Sequence, residues 1–221
     1  MKHVLALLAI ALPLPALGVQ TATVCDKVAL QAAQIHNVPP QVMMAIARVE
    51  SGRNLDGTVL PWPWAVNRAG ISHWFDTAND AYAFVQGEID AGKRNIDIGC
   101  FQLNLRWHAE NFTSLEEMFD PTANANYAAQ YLQQNFARKG NWVDAVAAYH
   151  SNTPEHAEIY IAKVEAVLTD LAQESLLVQP DENLPANKPN LFPLLKQGVA
   201  SSMASLVPQT DSPMPFLIAT P

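Results

Sequence analysis

Three side chains have the types and the spacing to do chemistry together: Glu50 in "RVESGRN", Gln102 in "GCFQLN" and Tyr149 in "AVAAYHS". Glu50 follows the apolar residues Val42, Met43, Ile46 and Val49, so it falls at the C-terminal end of an amphipathic helix. The negative end of the helix dipole disfavours a carboxylate there, and partial burial disfavours it further. A glutamic acid tuned toward neutrality can protonate a glycosidic oxygen. Gln102 both donates and accepts, which suits a sugar hydroxyl or an N-acetyl amide. Tyr149 can pack its ring and still present a hydroxyl. Taken singly, each has a plain structural explanation: a solvated helix end, a satisfied turn amide, a core tyrosine.

The elements that must hold these residues are mainly helical. "CDKVALQAAQIHN" has Val28, Ala32 and Ile35 at helical spacing, with Asn37 as a stop. A second helix starts at Pro39-Pro40 and ends at Glu50. Residues 51–78, with Trp62, Trp64 and Trp74 among glycines and prolines, read as a long ordered loop. "TANDAYAFVQGEIDAG" reads as a helix capped by Thr77 or Asn79. "NIDIGCFQLNLRWH" shows no period. "TANANYAAQYLQQNFARKG" is a strong helix closed by Gly140. A short helix carries Tyr149, and a long one follows with Pro154 in its first turn.

The ends are different in character. Lys2, the apolar run Val4–Leu12 and Ala16-Leu17-Gly18 form a secretory leader over residues 1–18. The expected mature protein is exported and periplasmic, with its folded domain over 25–175. From 178 to 221 the chain is rich in proline and lacks a lasting period, so it reads as a flexible tail with at most a short helix at Leu194–Leu206. A net charge of −8 and the lack of a basic run argue against a nucleic-acid partner. Histidine and cysteine spacings match no metal site, and no cofactor is implied. Cys25 and Cys100 are the only cysteines; export makes a bridge between them the expected state.

In order, Glu50-Ser51, Gly99-Cys100-Phe101-Gln102 and Ala148-Tyr149-His150 stand about fifty residues apart. This set resembles the motifs Glu-Ser, Gly-Leu-(Met/Leu)-Gln and Ala-Tyr-Asn of lytic transglycosylases of the soluble Slt type. "FDPTANANYAAQYL" is similar to the family's Asp-Pro-x-x-Asn helix, which packs under the cleft. The resemblance covers Cys25 to Leu171. It implies a lysozyme-like helical fold and cleavage of the β-1,4 bond between N-acetylmuramic acid and N-acetylglucosamine in peptidoglycan, leaving a 1,6-anhydro end.

On that resemblance Glu50 is the catalytic acid and then the base. Ser51 orients it, and Gln102 and Tyr149 shape the site around the muramyl sugar. Asp56, Asp76, Asp90 and Asp97 are candidate second carboxylates with no motif behind them. Two departures stand out: Cys100 in place of leucine and His150 in place of asparagine. His150 can take over the hydrogen bonding of asparagine and lie in the cleft. "LPWPWAVNRAG" makes Trp64 and Asn67 candidates for a wall of the glycan cleft, where flat rings meet sugar faces. Core packing is the competing reading for the tryptophans, and for Trp107.

Two alternatives stay open: a hydrolytic lysozyme on the same fold, and a glycan-binding assembly protein. Some relatives open the wall for flagella or secretion systems, so the tail reads either as a docking segment for such a partner or as a plain disordered end. The expected state is a monomer.

Overall fold

The computed structural model of the chain describes residues 16–177. The leader expected over 1–18 falls outside these residues except for 16–18, which open the first helix. The tail expected over 178–221, with its short helix at Leu194–Leu206, lies outside them altogether. Of the described residues, 16–172 form one compact unit, and 173–177, the last residues of the final helix, fall outside it.

The compact unit is mainly α. Helix α1 runs Ala16–His36 and α2 Pro40–Ser51. Asn37 takes a φ of 53°, a left-handed turn that asparagine tolerates and that ends α1. Pro40 opens α2, where a missing N–H costs nothing. Helix α3 spans Ala78–Asp90 and is capped by Thr77, whose hydroxyl accepts from the Asp80 amide. Helices α4 (Leu105–His108) and α5 (Leu115–Phe119) are short. Helix α6 spans Pro121–Lys139, capped by Asp120 at its start and by left-handed Gly140 at its end. Helices α7 (Trp142–His150) and α8 (Pro154–Leu177) complete the set.

Residues 51–78, expected as a loop, instead fold largely as two antiparallel hairpins. Strands β1 (Arg53–Leu55) and β2 (Thr58–Leu60) make the first, and β3 (Ala65–Arg68) and β4 (Ile71–Trp74) the second. Strands β5 (Ile96–Ile98) and β6 (Leu103–Asn104) extend the second into a sheet of order β4-β3-β5-β6. The reason is length. Strands of two to four residues are too short to display an alternation that distinguishes them from turn.

The core lies between α1, α2, α6 and this sheet. Helix α1 packs on both α2 and α6, and α6 packs on α7. Met43 and Ile46 from α2, Ile96 and Ile98 from β5, Phe101, Leu132 from α6 and Val164 from α8 are all buried there. A disulfide joins Cys25 of α1 to Cys100, with Cα atoms 5.6 Å apart across 75 residues. It fastens the turn after β5 to the helix beneath it.

Candidate active site

The turn between β5 and β6 is built around a buried amide. Asn124, in the first turns of α6, is fully buried. Its Oδ1 accepts from the Phe101 amide at 3.0 Å. Its Nδ2 donates to the carbonyls of Ile98 and Met118, both at 3.1 Å. Gly99 sits against it with φ 82°, where a Cβ would meet the Asn124 side chain at 2.8–3.0 Å. Both conditions call for glycine. This turn also carries Gln102, at φ 45°.

Ser51 joins the end of α2 to the same turn. Its buried hydroxyl lies 2.9 Å from the carbonyls of Ala47 and Cys100, sharing one proton between them, and accepts from the Trp62 amide at 3.2 Å. These bonds go to backbone, so Ser51 bears on Glu50 by fixing the last turn of α2. Gly52 follows, and a Cβ there would collide with the Arg48 carbonyl at 2.5 Å and with Val59 at 2.7 Å.

Glu50 itself is half-buried at the floor of a cleft of about 590 Å³. Tyr160 of α8 donates a 2.6 Å hydrogen bond to its Oε1. Its pKa is pushed from 4.5 up to about 7. Burial is the main cause. The Tyr160 hydroxyl opposes it by stabilising the charged form, Asp97 adds to the rise, and Lys163 opposes it.

The cleft has one polar wall from the sheet and one from the helices. Asn67, Asp97 and Asn104 stand opposite one another in register across β3, β5 and β6, so they face one side, and all three line the cleft. Asn104 donates to Asp97 at 2.7 Å while capping α4 with its own oxygen. Burial raises the Asp97 carboxyl above its usual range, against that hydrogen bond. Gln102 donates to the carbonyls of Gly99 and Ala65 at 2.9 and 3.1 Å, which commits its nitrogen and leaves its oxygen for a ligand. Tyr149 donates to the Phe101 carbonyl at 2.8 Å. Burial, then the charge on Glu50, hold its hydroxyl well above the usual tyrosine range, so it stays protonated. The His150 ring stacks on Tyr160, 4.4 Å between centroids and 3° from parallel. Burial, Lys163 and His156 all lower its pKa.

The structure thus brings Glu50, Asn67, Gln102, Tyr149 and His150 to one cleft. Trp64 is not among the residues lining the cleft: it is partly buried and packs against the core and against the small cluster of Ala22, Trp62 and Ala65. Trp107, ambiguous in sequence, is 65% exposed on the cleft with the Arg106 guanidinium 4.9 Å above its ring. Of the four aspartates, Asp97 alone lines the cleft; Asp76 pairs with Arg53 at 2.9 Å. Tyr160 was missed. Its only trace in the sequence is a tyrosine among the apolar residues Tyr160, Val164 and Leu171 of a long helix. Among the described residues no cluster of three or more acidic, histidine or cysteine side chains forms a metal site.

A helical domain with a near-neutral glutamic acid at the end of a buried helix, opening on a cleft flanked by a small sheet, defines the lysozyme-like class. The family model of the transglycosylase SLT domain matches residues 27–160, and the chain belongs to that family, whose members act on peptidoglycan. Neither the curated proteins nor the solved structures yield a match.

Proposed function

We propose that the protein is an exported lytic transglycosylase. It cleaves the β-1,4 bond between N-acetylmuramic acid and N-acetylglucosamine and leaves 1,6-anhydromuramyl ends. The observation that carries this reading is the Glu50 carboxyl, held near pKa 7 in the cleft under the Tyr160 hydroxyl. An acid with that pKa is largely protonated below neutrality and still able to give its proton up.

In the first step Glu50 protonates the glycosidic oxygen, and the bond to muramyl C1 breaks with departure of N-acetylglucosamine as an alcohol. The sugar's own N-acetyl oxygen can cover C1. In the second step the C6 hydroxyl attacks C1 and Glu50, now a carboxylate, takes its proton. The acid is thereby restored and water is not consumed. Tyr160 supports the carboxylate between the two steps by donating to it. Gln102 and Tyr149 offer oxygen acceptors to the N-acetyl and hydroxyl groups of the muramyl sugar, since their donors are committed to backbone. Export to the periplasm agrees with the leader pattern. No described helix is long and apolar enough to cross a membrane.

A hydrolytic route is favoured by one observation, Asp97 in the same cleft. A second carboxylate could activate water on the opposite face of the ring. Mass spectrometry of the products separates the two. Anhydro ends in wild type and no cleavage by Glu50→Gln support the transglycosylase; reducing ends that vanish in Asp97→Asn would establish hydrolysis.

A further inference from the structure

His150 ends α7, and Tyr160 lies in the second turn of α8. Between them the Thr153 amide donates to the Ser151 hydroxyl at 3.1 Å, in the turn that brings the two rings face to face. Their planes are 3° from parallel and their centroids 4.4 Å apart. Rings in contact stand about 3.5 Å apart, so this stack is offset, the arrangement that flat rings favour. His150 lines the cleft, and Tyr160, 3% exposed, does not.

Tyr160 needs a constraint of this kind. Its hydroxyl serves the Glu50 carboxylate at 2.6 Å only while the ring stands in one place. Residues 152–156, 158 and 159 are exposed, so Tyr160 is the first buried side chain of α8 and the start of that helix is weakly anchored. On the side of α7, the imidazole is the ring on which Tyr160 packs. The asparagine that the transglycosylase motif carries at this position has no ring. The stack therefore belongs to this chain and not to the motif.

We propose that His150 is a positioning residue: stacked on Tyr160, it holds the phenol so that the hydroxyl stays on Glu50 Oε1. It works as a flat, neutral surface. Burial, Lys163 and His156 lower its pKa below the ordinary histidine value, so it is largely uncharged near pH 7, where Glu50 titrates. The titratable and charged groups that act on Glu50 are Tyr160 and Lys163 of α8, Asp97 of β5 and Tyr149 of α7. The inference rests on the reading of Glu50 as the acid, and adds that His150 acts on that acid through Tyr160.

The test is a double-mutant cycle read on the Glu50 carboxyl by carbon NMR titration of glutamate-labelled protein, with Glu50→Gln identifying the signal. Tyr160→Phe should shift the Glu50 pKa by up to about one unit when His150 is present. In a His150→Ala background the same change should shift it by less than about half as much, because the hydroxyl is no longer held there. Subtracting within each background cancels any change in the hydration of Glu50 that the smaller side chain brings. His150→Phe keeps a stacked ring without the imidazole nitrogens and should restore the full shift. Circular dichroism checks the fold, and His150→Asn replaces the alanine variant if that one does not fold. An equal Tyr160→Phe shift in both backgrounds, zero included, overturns the positioning role. So does a His150→Phe variant that behaves like His150→Ala. The alkaline limb of the pH–rate profile on peptidoglycan should follow the titrated pKa through the four proteins of the cycle. A limb that stays fixed while the titrated pKa moves overturns Glu50 as the acid and leaves the stack standing.

Discussion

The Tyr160 hydroxyl donates a 2.6 Å hydrogen bond to Glu50 Oε1 across 110 residues of chain. It is the strongest force lowering the pKa of a carboxyl that burial raises to about 7. Tyr160 itself is 3% exposed, and burial and the Glu50 charge keep its own proton on. Two opposed effects therefore meet on one oxygen, and each can be removed separately.

Removing the hydrogen bond leaves burial opposed only by the weaker pull of Lys163. Tyr160→Phe is expected to raise the Glu50 pKa further and to move the alkaline limb of the pH–rate profile upward by up to about one unit. A downward shift of that limb would sink the assignment of the hydroxyl as donor to the carboxylate.

Burial of Glu50 also sets a pH dependence of stability. Its folded pKa, about 7, lies above the ordinary carboxyl value of 4.5. Between those two values the folded state binds the extra proton, so this group's contribution to stability falls as pH rises through the window. Glu50→Gln lacks the ionisation. It should match the wild type in stability near pH 4 and exceed it by about 3 kcal/mol at pH 8. Urea unfolding at both pH values reads the difference; an equal gap at both would mean burial does not raise this pKa.

Asn124 tests whether the turn carrying Gln102 is held from below. Asn124→Ala removes all three hydrogen bonds to the backbone of Ile98, Phe101 and Met118. The expected cost is about 2–4 kcal/mol, together with loss of cleavage beyond what partial unfolding explains. Denaturant midpoints and activity at a temperature where the variant is fully folded give the two numbers.

The disulfide closes a long loop. In the chain-entropy account a bridge across 75 residues stabilises by about 3–5 kcal/mol. Cys25→Ser with Cys100→Ser should lose stability on that scale under oxidising conditions and be indifferent to added reductant. Wild type that is equally indifferent would show that the bridge does not form.

Much of the helical frame was legible. Val28, Ala32 and Ile35, or Tyr127, Ala128, Tyr131 and Leu132, repeat with the helical period. Thr77, Asp120, Pro40 and Gly140 mark ends by local chemistry that needs no partner far away. The small sheet was not legible, because β5 and β6 are three and two residues long and are strands only by virtue of pairing. Trp64 shows the same limit. A tryptophan in a proline-rich stretch is compatible with a cleft wall or a core, and only packing chose the core.

By itself the sequence determined the longer helices, α1, α2, α3, α6, α7 and α8, and it set Glu50, Gln102 and Tyr149 in a recognisable order. These depend on near neighbours and on residue type. Tertiary structure alone decided that Tyr160 reaches Glu50, that Asp97 rather than Asp56, Asp76 or Asp90 shares its cleft, and that Asn124 supports the turn beneath Gln102. The pKa of Glu50 belongs to the second group. Desolvation and the field of Asp97 and Lys163 come from groups distant along the chain, so no local window of residues contains them.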